Sequence, residues 1–169
     1  MQVALSAMTD SSDSHVPAVH NGTMRLLVVM LLFALAPFAQ TSEEKEILAV
    51  IQKTFDGMAV RDGEMIRSTM LPEARLYSVR GQNAPSTTTA EAFANQMAAG
   101  KGALLERFIG QPTVSIRGRM AQVWGEYEFL RDGKFSHCGV DSVNLFKTAE
   151  GWKIAALMYT VEPTGCKGR

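Results

Sequence analysis

The chain has 169 residues, room for one domain with a sizeable core, and its 17 Lys plus Arg balance 17 Asp plus Glu to a formal net charge of zero. No cluster of Lys and Arg supplies the basic face that releases counterions from nucleic acid, so nucleic acid is excluded as a partner. A hydrophobic share of 46% excludes a generally disordered chain, and the lack of any internal period excludes a solenoid.

Residues 1–23 are small and polar, with turn formers gathered at Asp10–Ser14, and show neither a helical nor a strand period. They are expected to be disordered, or not translated at all. Met24 and Arg25 then open an apolar run, Leu26–Ala36. A bilayer span takes about 20 residues, so this run is too short to be a stable one. It fits the apolar part of a secretory signal, with Ala39 as the small residue before the cut. On that reading Met24 is the working start, residues 24–39 are a signal peptide, and an exported domain covers 40–169. Pro37, three residues before the cut, and the single basic residue Arg25 argue instead for an uncleaved buried or anchoring helix.

Thr41 and Glu44 stand at capping-box spacing. They open a helix running to about Arg61, whose stripe is Ile47, Leu48, Ile51, Phe55 and Met58. Asp62 caps a second short helix through Met70, which Leu71-Pro72 ends. Ala74–Val79 reads as a strand and Gly81–Ser86 as a loop. Thr88 and Glu91 repeat the capping-box spacing before a third helix that stops at Gly100. Leu104–Arg117 is a strand candidate bent at Gly110 and Pro112. Met120–Arg131, Phe135–Lys147 and Trp152–Val161 complete a run of antiparallel strands. Helices gathered on one face of an antiparallel sheet predict an α+β fold, a cone-shaped curved sheet wrapped over the N-terminal helices.

The layout resembles the nuclear transport factor 2-like superfamily. Within it the nearest match is to the SnoaL-like and putative lumazine-binding proteins. The resemblance is carried by HCGVD, by LFKTAEGWKIAALMYT and by the final Gly165-Cys166, and it spans about Ser42–Cys166. It implies a conical pocket and a homodimer packed sheet to sheet. It implies no single activity, since isomerases, dehydratases, cyclases, hydrolases and plain binders share the fold.

Asp132-Gly133 fits a two-residue hairpin turn. Counting from it, Phe129 opposes Ser136, Glu128 opposes His137 and Trp124 opposes Asp141. One face then carries His137, Gly139, Asp141, Val143 and Leu145 with Trp124, Glu126 and Glu128, and an even second turn adds Ile154, Ala156 and Met158. This face grades from apolar to ionisable, as a pocket with a polar mouth does. Phe55 and Tyr77 are counted with it. The opposite face, with Val123, Tyr127, Phe129, Cys138, Val140 and Phe146, is apolar and is expected to be covered by a second subunit. The exchange of the two faces is the alternative.

His137 and Asp141 are the candidate acid and base. Four residues apart on one strand, they stand about 13 Å from each other and can flank a ligand without touching. Glu128 is the nearer carboxylate to His137. The plain alternatives are a surface histidine, an Asp141 bonded to backbone, and a solvent-facing Glu126 and Glu128. Cys138 and Cys166 allow one disulfide, pinning the tail over the sheet, or two free thiols. One histidine and two distant cysteines do not make a zinc site. No phosphate loop, GxGxxG or GxSxG is present, so no cofactor is expected. Three functions compete: an exported binder of a small apolar or aromatic molecule, a lyase or isomerase working through His137 and Asp141, and a dimeric interaction module.

Overall fold

A computed structural model describes residues Gln40–Cys166. The expected signal peptide and the polar leader before it lie outside the described residues. Three helices precede or interrupt seven strands: α1 (Ser42–Ala59), α2 (Gly63–Ser68), β1 (Met70–Arg80), β2 (Ser86–Thr89), α3 (Ala90–Ala99), β3 (Leu104–Phe108), β4 (Thr113–Arg117), β5 (Met120–Arg131), β6 (Lys134–Thr148) and β7 (Gly151–Val161).

The helix starts follow from side chains that replace missing backbone partners. Glu44 N–H donates to Thr41 Oγ1 at 3.1 Å and Thr41 N–H donates to Glu44 Oε2 at 2.8 Å, closing the capping box. Asp62 accepts from Met65 N–H and caps α2. At α3 the cap is Thr89, which accepts from Ala92 N–H, and not Thr88 as its spacing to Glu91 predicts. Thr88 is instead a strand residue. Ser86, expected to close the loop, and residues 87–89, expected to lead into the helix, pair with β1 as β2.

The sheet runs β2-β1-β7-β6-β5-β3, with β4 pairing the other end of β5. All pairings are antiparallel except β1 with β7, which is parallel, so the sheet is mixed where an antiparallel one was expected. Where one strand bent at Gly110 and Pro112 was expected, these residues end one strand and separate β3 from β4. Ile47, Ile51, Phe55 and Met58 of α1 are buried, as their spacing requires, and α1 packs over β3 and β7. Against them lie Val123, Tyr127 and Phe129 of β5, Val143 and Leu145 of β6, and Ile154 and Leu157 of β7. Thr54, buried in the same helix, closes its hydroxyl on Thr69 at 2.8 Å and so leaves no unmet polar group.

Two single-residue irregularities decide which side chains face the helices. The Asp132-Gly133 turn forms as expected, with positive φ at both residues (49° and 74°), as a hairpin turn of two residues needs. Beyond it, Leu130 pairs with Phe135 but Phe129 pairs with His137, so Ser136 is an extra residue. Leu145 pairs with Ile154 but Asn144 pairs with Ala156, so Ala155 is a second. Each bulge reverses the side-chain parity of everything past it. The expected pairs of Glu128 with His137 and Trp124 with Asp141 are therefore replaced by Glu128 with Cys138 and Gly125 with Asp141.

Candidate functional site

The inner face of the sheet and the helices enclose a cavity of about 220 Å³. That is room for about seven waters at ~30 Å³ each, or for one small organic molecule. Its apolar wall includes Phe55, Met58, Phe93, Phe129 and Leu157, and its polar groups include Ser78, Arg80, Glu106, Arg131, His137 and Asp141. Side chains from β1, β3, β5, β6 and β7 reach this one space, so the sheet must curl around it.

Of the expected site residues, Phe55, His137 and Asp141 line the cavity. Trp124, Glu126, Glu128 and Met158 do not, because the two bulges carry them to the outer face. Trp124 is 55% exposed and Met158 45%. Glu128 points its carboxylate at Arg107 across the strand, with Nε at 2.6 Å. Glu126 lines a separate hollow beside Cys138 and Cys166. Tyr77 is also exposed, at 42%, since it alternates with the inward Leu76 and Ser78. The residues that take their places inside are Tyr127, Phe129, Leu157 and Tyr159.

His137 stacks on Phe129 with ring centroids 4.7 Å apart, and its Nδ1 lies 3.1 Å from Ser136 Oγ. Burial first, and then the positive charges of Arg80 and Arg131, push its pKa down to about 4, so the ring is neutral at pH 7. Asp141 is 1% exposed. Burial pushes it up to about 7, and burial together with the neighbouring Asp141 holds Glu106 well above the carboxylate range. Glu106 and Asp141 line the same cavity and act on each other, and two neighbouring buried carboxyls favour a state in which one stays protonated. Asp141 Oδ2 is buried with no partner, an acceptor left over for a bound molecule.

Gly139 makes the adjacent wall possible. A Cβ there would drive into the Thr160 carbonyl and the Tyr127 ring. With no side chain at 139, Tyr127 lies across the gap and donates its hydroxyl to Thr160 O at 2.7 Å. Burial raises the phenols of Tyr127 and Tyr159, so both stay protonated.

Cys138 and Cys166 form a disulfide with Cα atoms 5.9 Å apart. It fastens the tail to the outer face, where Glu162 and Cys138 also exchange two backbone hydrogen bonds. Among the described residues no group of three or more His, Cys, Asp or Glu side chains converges as a metal site.

Glu106, the partner of Asp141, was not singled out by sequence. The signal was present: Leu104, Glu106 and Phe108 alternate as an apolar, acidic, apolar series on one face of β3. Ser78 and Arg80 likewise share the parity of the buried Leu76.

The profile of the Putative lumazine-binding family matches residues 42–160, nearly the whole described domain. The chain belongs to that family. No curated protein matches it. Solved structures give this member of the Putative lumazine-binding family its fold class. A nuclear transport factor 2-like superfamily protein from Salmonella enterica superposes with a TM-score of 0.60 at 16% identity, covering 78% of this chain and 99% of its own. A protein of unknown function with a cystatin-like fold from Nostoc punctiforme gives 0.61 at 12% identity, over 75% and 97%. A putative dehydratase of the nuclear transport factor 2-like family from Streptomyces avermitilis gives 0.57 at 15%, over 72% and 96%. At such identities the likeness carries the fold and no activity. The α+β cone read from the sequence is thus the fold of this Putative lumazine-binding family member.

Proposed function

We propose that this chain is an exported, non-catalytic domain that binds one small aromatic or apolar molecule in the cavity between α1 and the sheet. The observation that carries this reading is the cavity itself: apolar walls, a few converging polar groups, and a buried carboxylate oxygen with no partner. The family name makes lumazine the first probe. By calorimetry, lumazine is expected to release heat on titration into the wild-type protein, and Leu157→Trp, which fills the cavity, is expected to abolish it. Undiminished binding to a folded Leu157→Trp variant would remove the cavity as the site. Export rests on the apolar run before Ala39 and agrees with a disulfide, which persists in oxidising compartments. A secreted form beginning before Met24 in mass spectrometry would contradict it.

A second reading, a lyase or isomerase, is favoured by one specific feature, the Glu106 and Asp141 pair. One carboxyl can take a proton while the other gives one. His137 is about four residues of strand away from Asp141 and would act at the other end of a substrate. Exchange of a bound ketone's α-protons with deuterated water, lost in Glu106→Gln, would move the assignment to this reading.

The third expectation, a homodimer, now rests on different residues. Trp124, Ser142, Met158 and Tyr77 form one cross-strand row on the outer face, and three of the four are large, apolar and exposed. A second copy packed on this row would bury them. Sedimentation velocity of Trp124→Lys with Met158→Lys should give a monomer where the wild type gives a dimer. A monomeric wild type at high concentration removes the proposal.

A further inference from the structure

We propose that the pocket selects an organic anion, whose acid group is held by Arg80 and Arg131 at the open end of the sheet and whose far, uncharged polar group is met by Asp141. The inference rests on the ligand-binding reading above and narrows it to a chemical class.

Strand directions aim the two arginines toward one end of the cavity. β1 is parallel to β7, β7 antiparallel to β6, and β6 antiparallel to β5, so β1 and β5 run the same way. Arg80 ends β1 and Arg131 ends β5. Both strands therefore run toward the end of the sheet where His137 begins the inner row of β6; Arg131 pairs with Lys134 at that end, and Arg80 pairs with Val161, nearer the middle of β6. Both arginines line the cavity, and both bear electrostatically on His137. Among the described residues neither has an ion pair, whereas Arg67 and Arg107 are each matched to a carboxylate. Arg131 rests against the Phe129 ring at 5.7 Å, which orients its guanidinium without neutralising it. Two uncompensated guanidinium groups on one cavity suit a carboxylate or sulfonate oxygen pair.

The other end differs in character. Asp141 lies four residues further along β6, about 13 Å from His137, level with Ser78 and two residues short of Arg80 on β1. Glu106 lines the cavity with it, and Asp141 Oδ2 is buried and free of partners. A protonated carboxyl pair both donates and accepts, so it suits a hydroxyl or carbonyl and repels a second full anion. Between the ends the wall is Phe55, Phe129 and Leu157, which suits a flat apolar body.

The test uses three related probes on the full chain at pH 6.5: 4-hydroxycinnamate, its neutral amide, and cinnamate, which lacks the hydroxyl. Calorimetry is expected to show the carboxylate binding roughly tenfold tighter than the amide, the gain of a charge-assisted contact. Arg80→Gln and Arg131→Gln should each shrink that ratio toward one while leaving the amide's affinity in place. Both arginines are exposed, so these variants keep their fold. Asp141→Leu should equalise 4-hydroxycinnamate and cinnamate while keeping the preference for the acid over the amide. An amide that binds as well as the acid, or a ratio untouched in both arginine variants, overturns the anion proposal and leaves the pocket reading standing. Binding of none of the three up to millimolar concentration takes away both.

Discussion

Unfolded in urea at pH 8, Asp141→Asn should be more stable than the wild-type protein, and at pH 4.5 the difference should nearly vanish. The reason is a linkage between burial and protonation. Burial lifts the Asp141 carboxyl from an ordinary 3.8 to about 7. The native state thus keeps a proton between about pH 4 and 7 that the unfolded chain has already lost. Stability must fall as pH rises through that window, and above it the full cost of a buried charge is carried. Asparagine has the same shape without that cost. At about 1.4 kcal/mol per unit the gain is on the order of a few kcal/mol at pH 8. His137 works in the opposite sense. Its native value near 4 lies below the ordinary 6.5, so the unfolded chain takes up a proton first and stability is lost as pH falls from about 6.5 to 4. The two groups offset each other in that interval. His137→Gln should therefore gain stability on acidification more steeply than the wild type. Parallel pH profiles for all three proteins would show that neither group is desolvated as described. A stabilising Asp141→Asn would also mean that the wild type keeps a costly residue in its cavity, which is what a site retained for binding requires.

Reduction of the disulfide is the second large effect. Cys138 and Cys166 are 28 residues apart. Closing a loop of that length in the unfolded chain is worth roughly 3–4 kcal/mol by the chain-entropy relation. Cys138→Ser with Cys166→Ser should lose about that much. Dithiothreitol should lower the unfolding midpoint of the wild type and leave the double variant unmoved. The loss should also reach the cavity, because Val161 lines it and the next residue, Glu162, is bonded to Cys138 on the outer face. A wild-type midpoint indifferent to reductant would mean the bridge constrains nothing.

How much of the site was legible can be argued from β5 and β6. His137 and Asp141 share a parity on β6, and that parity faces the cavity. The error lay in carrying it across the hairpin. From the Asp132-Gly133 turn the count is right for two pairs and then fails at Ser136, which bulges. Trp124, Glu126 and Glu128 were assigned inward on that count, and Val123, Tyr127 and Phe129 outward. Met158 failed in the same way at Ala155. Nothing in the residues Phe135-Ser136-His137 announces a bulge, because its benefit lies elsewhere: it sets the His137 ring on Phe129 and turns the burial of Tyr127 inward. An acid at an inward position of β3 was readable in Leu104, Glu106 and Phe108, but its meeting with Asp141 depends on how far the sheet curls.

By itself the sequence determined the three helices, the caps at Thr41 and Asp62, an interruption at Gly110 and Pro112, the tight hairpin turn and the family's α+β cone. Each of these depends on residues within a few positions of one another, where hydrogen-bond partners and apolar period are local. Only the tertiary structure decided which face lines the cavity, that β1 joins the sheet in parallel, and that Glu106 comes to lie beside Asp141. Those outcomes are sums over the whole sheet, in which one extra residue in a strand reverses every side chain beyond it.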